Sequence, residues 1–102
     1  MTLRELLSGT ATELGDIDQG ESPDGGVTWS RNGRPFAAVN GDGKVAEFAL
    51  DSAVAAAATR TPDVGPSSRG AGWVRFRPAT LDDHGRDRAK AWFESAHRRL
   101  GG

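Results

Sequence analysis

A chain of 102 residues has room for one hydrophobic core of modest size and not for two, so a single domain spanning 1-102 has to account for every segment. It contains no cysteine, which excludes disulfide frameworks, thiolate zinc sites and cysteine nucleophiles. The net charge of -1 excludes a strongly basic nucleic-acid domain but conceals an asymmetry: Glu5, Glu13, Asp16, Asp18, Glu21 and Asp24 face only Arg4 before residue 27, and the remainder is net basic.

Acidic residues enter as early as Glu5, too soon for a signal sequence, and no apolar run reaches the length of a membrane span. The expectation is a cytoplasmic monomer with no membrane partner. Arginine in preference to lysine, with abundant alanine and glycine, fits the coding bias of a GC-rich bacterium. Thr2 followed by Glu5 has capping-box spacing, and Leu3, Leu6, Leu7 and Leu14 recur at helical intervals, so a first helix starts at Leu3. From Gly15 to Gly26 the chain is acidic and broken by Gly20, Pro23, Gly25 and Gly26; it is expected to be an irregular loop without a bound metal. Val27 and Trp29 alternate with Thr28 and Ser30 in a strand over 27–31 that ends in an Asn32-Gly33 hairpin turn. A second strand, 35–39, leads through Asn40-Gly41-Asp42-Gly43 into a third, 44–50, with Ala46, Phe48 and Leu50 on one face and Val45, Glu47 and Ala49 on the other.

Asp51 can cap a helix over the alanine-rich stretch 52–59. A loop rich in glycine and proline occupies 61–72, and a strand over 73–77 sets Val74 and Phe76 against Trp73, Arg75 and Arg77. Thr80 with Asp83 has the spacing of a second capping box, and Ala89, Trp92, Phe93, Ala96 and Leu100 form the apolar stripe of a closing helix stopped by Gly101 and Gly102. The expected fold is α+β in the order α-β-β-β-α-β-α, an antiparallel sheet packed by helices. Its core is expected to join Trp92, Phe93 and Leu100 to Phe36, Phe48, Val74 and Phe76.

The run Gly33-Arg34-Pro35-Phe36-Ala37-Ala38-Val39, the strand ending Phe48-Ala49-Leu50, the Thr61-Pro62-Asp63 segment, Arg69-Gly70-Ala71-Gly72-Trp73-Val74 and Ala91-Trp92-Phe93-Glu94-Ser95-Ala96 resemble the MmcQ/YjbR-like family of small bacterial proteins. The resemblance spans about residues 27–100; residues 1–26, an N-terminal helix and acidic loop, look least like the family. It implies a compact sheet and helices of double-wing type and a DNA-binding role, and it brings no catalytic residues to carry over.

Candidate chemistry is sparse. The segment 66–72 offers glycines, Ser67, Ser68 and Arg69 to an anion, but it lacks the lysine and following helix of a phosphate loop and reads first as a connector. Glu94 and His97 have the i, i+3 spacing of carboxylate-bridged metal bundles without the second copy such a site needs, so His97 reads as a solvated residue near a helix end. Asp16, Asp18, Glu21 and Asp24 miss the spacing of a calcium loop, since Glu21 stands where the turn glycine belongs. The terminal Gly101-Gly102 pair reads as a helix stop and not as a conjugation tail. No nucleophile, base and stabiliser can be assembled, so neither an enzyme nor a cofactor is expected.

Trp73, Arg75 and Arg77 share a strand face, so a base can stack on the indole while guanidinium groups meet phosphates. Packing of Trp73 beneath a helix, with solvated arginines beside it, is the competing explanation. The expected function is a binding domain for nucleic acid, weak and sequence-tolerant, using Arg69, Trp73, Arg75 and Arg77 with Arg86, Lys90 and Arg98 of the closing helix. The rival is a small-ligand or protein-partner module with a pocket near Trp29, Trp73 and Trp92.

Overall fold

The computed structural model describes residues 2–101; Gly102 of the terminal glycine pair lies outside them. Nine elements follow in chain order: α1 (Leu3–Leu14), β1 (Asp18–Glu21), β2 (Val27–Arg31), β3 (Arg34–Val39), β4 (Ala46–Ala49), α2 (Ser52–Thr59), β5 (Val64–Pro66), β6 (Trp73–Phe76) and α3 (Asp83–Arg99). The six strands form one antiparallel sheet in the order β1-β2-β3-β4-β6-β5, packed by the helices in an α+β fold.

The capping box at α1 is present: the Thr2 hydroxyl accepts from the Glu5 amide and Glu5 accepts from the Thr2 amide. The Thr2 backbone N–H, and after it the Thr2 hydroxyl, hold the Glu5 carboxyl below the usual carboxylate range. Asn32 and Gly33 both take positive φ, 54° and 77°, as a two-residue hairpin turn requires.

Four expectations are corrected. The acidic segment is not wholly irregular, because Asp18–Glu21 pairs with β2 as an edge strand. The loop after α2 likewise contains the short edge strand β5, paired with β6. The order is therefore α-β-β-β-β-α-β-β-α. The third strand starts at Ala46 and not at Lys44, since the Asn40 carboxamide takes the amides of Lys44 and Val45 at 3.0 and 3.1 Å. The cap of α3 is Asp82, whose carboxylate accepts from the Gly85 amide at 2.8 Å and leaves Thr80 in the preceding turn.

The register puts Trp29, Ala37, Phe48 and Val74 in one row, and Val27, Val39, Ala46 and Phe76 in the next, on a common face. Trp29 faces Ala37 while Ser30 faces Pro35, so Phe36 is the extra residue of a bulge. The bulge lets both Phe36 and Ala37 be fully buried. Onto this face α3 lays the expected stripe. Phe93 meets Trp29 and Phe36 edge-on at 5.3 and 5.1 Å, and Trp92 meets Phe76 and Phe48 at 5.3 and 6.0 Å. The expected core is observed, with Leu100 at its half-buried margin and Leu3, Leu7 and Ala11 of α1 and Ala58 of α2 joining it. All three helices thus contribute to one side of the sheet. The other side carries Thr28, Ala38, Glu47 and Arg75 in one cross-strand row and Ala49 with Trp73 in the next.

Candidate nucleic-acid interface

Alternation along β6 buries Val74 and Phe76 and turns Trp73 and Arg75 to the helix-free face. Trp73 is half-buried and Arg75 exposed, so the indole does not lie beneath a helix.

Arg69 reaches the same face through the hairpin loop 67–72. Ser67 donates its amide to Trp73, Trp73 donates to Gly70, and the Leu50 amide donates to the Gly72 carbonyl at 2.9 Å, which ties the loop to the end of β4. Gly72 is required there: its φ is +81°, and a Cβ would stand 2.7 Å from the Leu50 carbonyl oxygen. Folded back in this way, Arg69 places Nε 3.0 Å from Glu47 Oε1 and its guanidinium carbon 5.3 Å from the centre of the Trp73 ring. The Ser67 hydroxyl donates to Glu47 Oε2 and accepts from the Arg69 amide at 3.1 Å. The 66–72 segment is thus a connector whose first hydroxyl is already used.

Both oxygens of Glu47 are occupied by the loop. Arg75, directly opposite Glu47 in the β4–β6 register, has no ion-pair partner among the described residues. The face therefore presents one indole, two guanidinium groups and one carboxylate over a floor of Ala38 and Ala49, which are 1% and 6% exposed.

The seven candidate residues fall in three places. Arg69, Trp73 and Arg75 come together as described. Arg77 lies past the end of β6 and lines a cleft of about 450 Å³ with Thr2, Leu3, Asp42, Lys44 and Leu81. Arg86, Lys90 and Arg98 sit on α3, across the sheet from Trp73: Arg86 pairs with Asp83 and donates to the Leu81 carbonyl, Lys90 lies 3.6 Å from Glu13, and Arg98 is exposed in the last turn. The three tryptophans do not line a shared pocket either, since Trp29 and Trp92 are packed on the helical side and Trp73 faces the other way.

His97 is a further correction. It is 7% exposed and sits between two segments far away in sequence. Arg31 Nη1 lies 3.3 Å from Nδ1 and donates to the His97 carbonyl at 2.9 Å, while Nε2 lies 3.0 Å from the Gly15 carbonyl oxygen. A guanidinium only donates and a carbonyl only accepts, so Nδ1 is the acceptor and Nε2 carries the proton.

Compared with protein-family models, curated proteins and solved structures, the chain matches none. No helix among the described residues is long and apolar enough to cross a membrane, and no group of three or more ligating side chains gathers for a metal. The functional reading rests on the site.

Proposed function

We propose that the chain is a non-enzymatic, monomeric cytoplasmic binding domain that holds single-stranded nucleic acid, weakly and with little sequence preference, on the helix-free face of its sheet. The observation that carries this reading is the meeting of Trp73, Arg69 and Arg75 on one exposed surface. An indole gives any base a stacking partner, and two guanidinium groups within a few residues of it can meet successive phosphates. A single strand suits a sheet face with one aromatic, whereas duplex recognition calls for an element that enters a groove. Among the described residues α3 is ill suited to that: Asp83, Asp87 and Glu94 interrupt its bases, and Arg86 and Lys90 are paired. Alternation along β2, β3 and β6 also supports the double-wing, MmcQ/YjbR-like reading, with β5 as a strand that the expected order lacks.

Titration of a labelled oligothymidine at several salt concentrations, with duplex DNA as a competitor, tests the proposal. Affinity is expected to fall steeply with salt. Arg75→Ala is expected to weaken binding to all sequences alike and to flatten the logarithmic salt slope by about 0.7, the share of one single-strand phosphate contact. No binding by the parent protein at low salt would overturn the reading. It would promote the second one, a module for a small anionic ligand or a protein partner, which the cleft beside Arg77 and Lys44 favours, neither having an ion-pair partner among the described residues.

A further inference from the structure

Within that nucleic-acid reading, on which this inference rests, we infer that Glu47 is a latch that keeps the stacking surface covered and sets how tightly a strand binds. Trp73 is not free in the unbound protein. The Arg69 guanidinium lies over its ring and is held there by Glu47 Oε1, while Ser67 secures the second carboxylate oxygen and the Arg69 amide. A base can reach the indole only when Arg69 swings away, and Arg69 can bind a phosphate only when it leaves Glu47. The two events are one: the phosphate takes the guanidinium from the carboxylate and the base takes the ring from the guanidinium. The Arg69 and Glu47 side chains are 36% and 20% exposed, so their pairing is weak enough for a phosphate to displace and strong enough to lower affinity. Arg75, free of Glu47 although opposite it, supplies the first contact before the latch opens.

The exchange predicts an effect of an unusual sign, in which a substitution inside the binding surface tightens binding. Glu47→Gln keeps the shape of the side chain and removes the charge. Against oligothymidine at low salt it is expected to raise affinity about threefold to fivefold, the upper range open to a partly exposed ion pair, and to steepen the logarithmic salt slope by about 0.7, because Arg69 becomes available to one more phosphate. Glu21→Gln, on the exposed edge strand β1, loses the same charge away from the latch and is expected to change affinity less than twofold. Glu47→Asp keeps the charge but shortens the reach to Arg69, and is expected to give a smaller gain, so the inference stays testable should Glu47→Gln fold poorly. Proton NMR of the free protein reads the latch without a ligand: the Arg69 side-chain protons nearest the guanidinium are expected upfield in the parent, in the ring current of Trp73, and closer to ordinary values in Glu47→Gln. Binding by the parent with no more gain in Glu47→Gln than in Glu21→Gln overturns the latch and leaves the nucleic-acid reading standing. An Arg69 shift that does not change in Glu47→Gln overturns the latch whatever the titration gives, and absence of binding by every variant overturns both.

Discussion

A buried histidine between a carbonyl and a guanidinium has both ring nitrogens committed, and His97 therefore joins three elements at one point. Nε2 reaches the turn after α1 at Gly15, and Nδ1 and the backbone carbonyl engage Arg31 at the end of β2. The ring also packs edge-on against Phe36 at 5.8 Å. Removing the imidazole takes the donor from the Gly15 carbonyl and one contact from Arg31, which keeps the residue-97 carbonyl and Asp16, and with the lost packing on Phe36 costs about 1–3 kcal/mol. His97→Ala is expected to lose that much in urea denaturation, and His97→Gln, whose amide can still donate toward Gly15, to recover part of it. A loss below about 0.5 kcal/mol, the range of an ordinary surface change, would mean that solvent satisfies these groups. None of this was legible locally. Four residues after Phe93 and three after Glu94, His97 reads as a helix-end residue, and the partners that bury it are 66 and 82 positions away.

At the scale of elements, periodicity was legible wherever a strand or helix has one buried and one open face. The start of α1, the span of β2 and the core stripe of α3 follow from such patterns, whereas α2 followed from its alanine content and the Asp51 cap and the turn at Asn32-Gly33 from its residue types. The two edge strands did not show themselves, for a physical reason. All four residues of β1 are exposed, so nothing alternates, and β5 is three residues ending in proline, a form suited to a sheet edge. What fixes β1 is a distant demand: Trp29 is fully buried and its indole N–H needs an acceptor, which Gln19 Oε1 provides at 3.1 Å from directly across the ladder. Gln19→Ala leaves that N–H unpaired and is expected to cost about 1–3 kcal/mol. Amide exchange resolved by residue is the measurement that separates mechanisms: β1 amides should lose protection ahead of those of β3 and β4. Uniform loss across the sheet would place the defect in the core instead.

For the molecule as a whole, the sheet divides the charges as well as the layers. The candidate residues were recognisable by type from alternation and composition, and the strand face carrying Trp73 and Arg75 is where the pattern put it. What alternation could not show is which other bases share that face. Arg69 arrives there through a loop whose path depends on Gly72 and the Leu50 carbonyl, whereas Arg77 leaves it because β6 has ended at Phe76. Arg86 and Lys90, counted with them in sequence, are spent on Asp83 and Glu13 in the helical layer. Counterion release responds to the cations that touch phosphate and not to the net charge of the chain. Alanine at Arg86, Lys90 and Arg98 together removes three positive charges from the helical side, more than Arg75→Ala removes from the sheet. The triple variant is nevertheless expected to leave the logarithmic salt slope of oligothymidine binding unchanged and to lower affinity no more than about twofold through long-range attraction, which salt near the physiological range screens within about 8 Å. Arg75→Ala alone should flatten the slope. A triple variant that flattens it more than Arg75→Ala would move the binding surface to α3, and a strand would then lie along the helix layer in place of the open sheet.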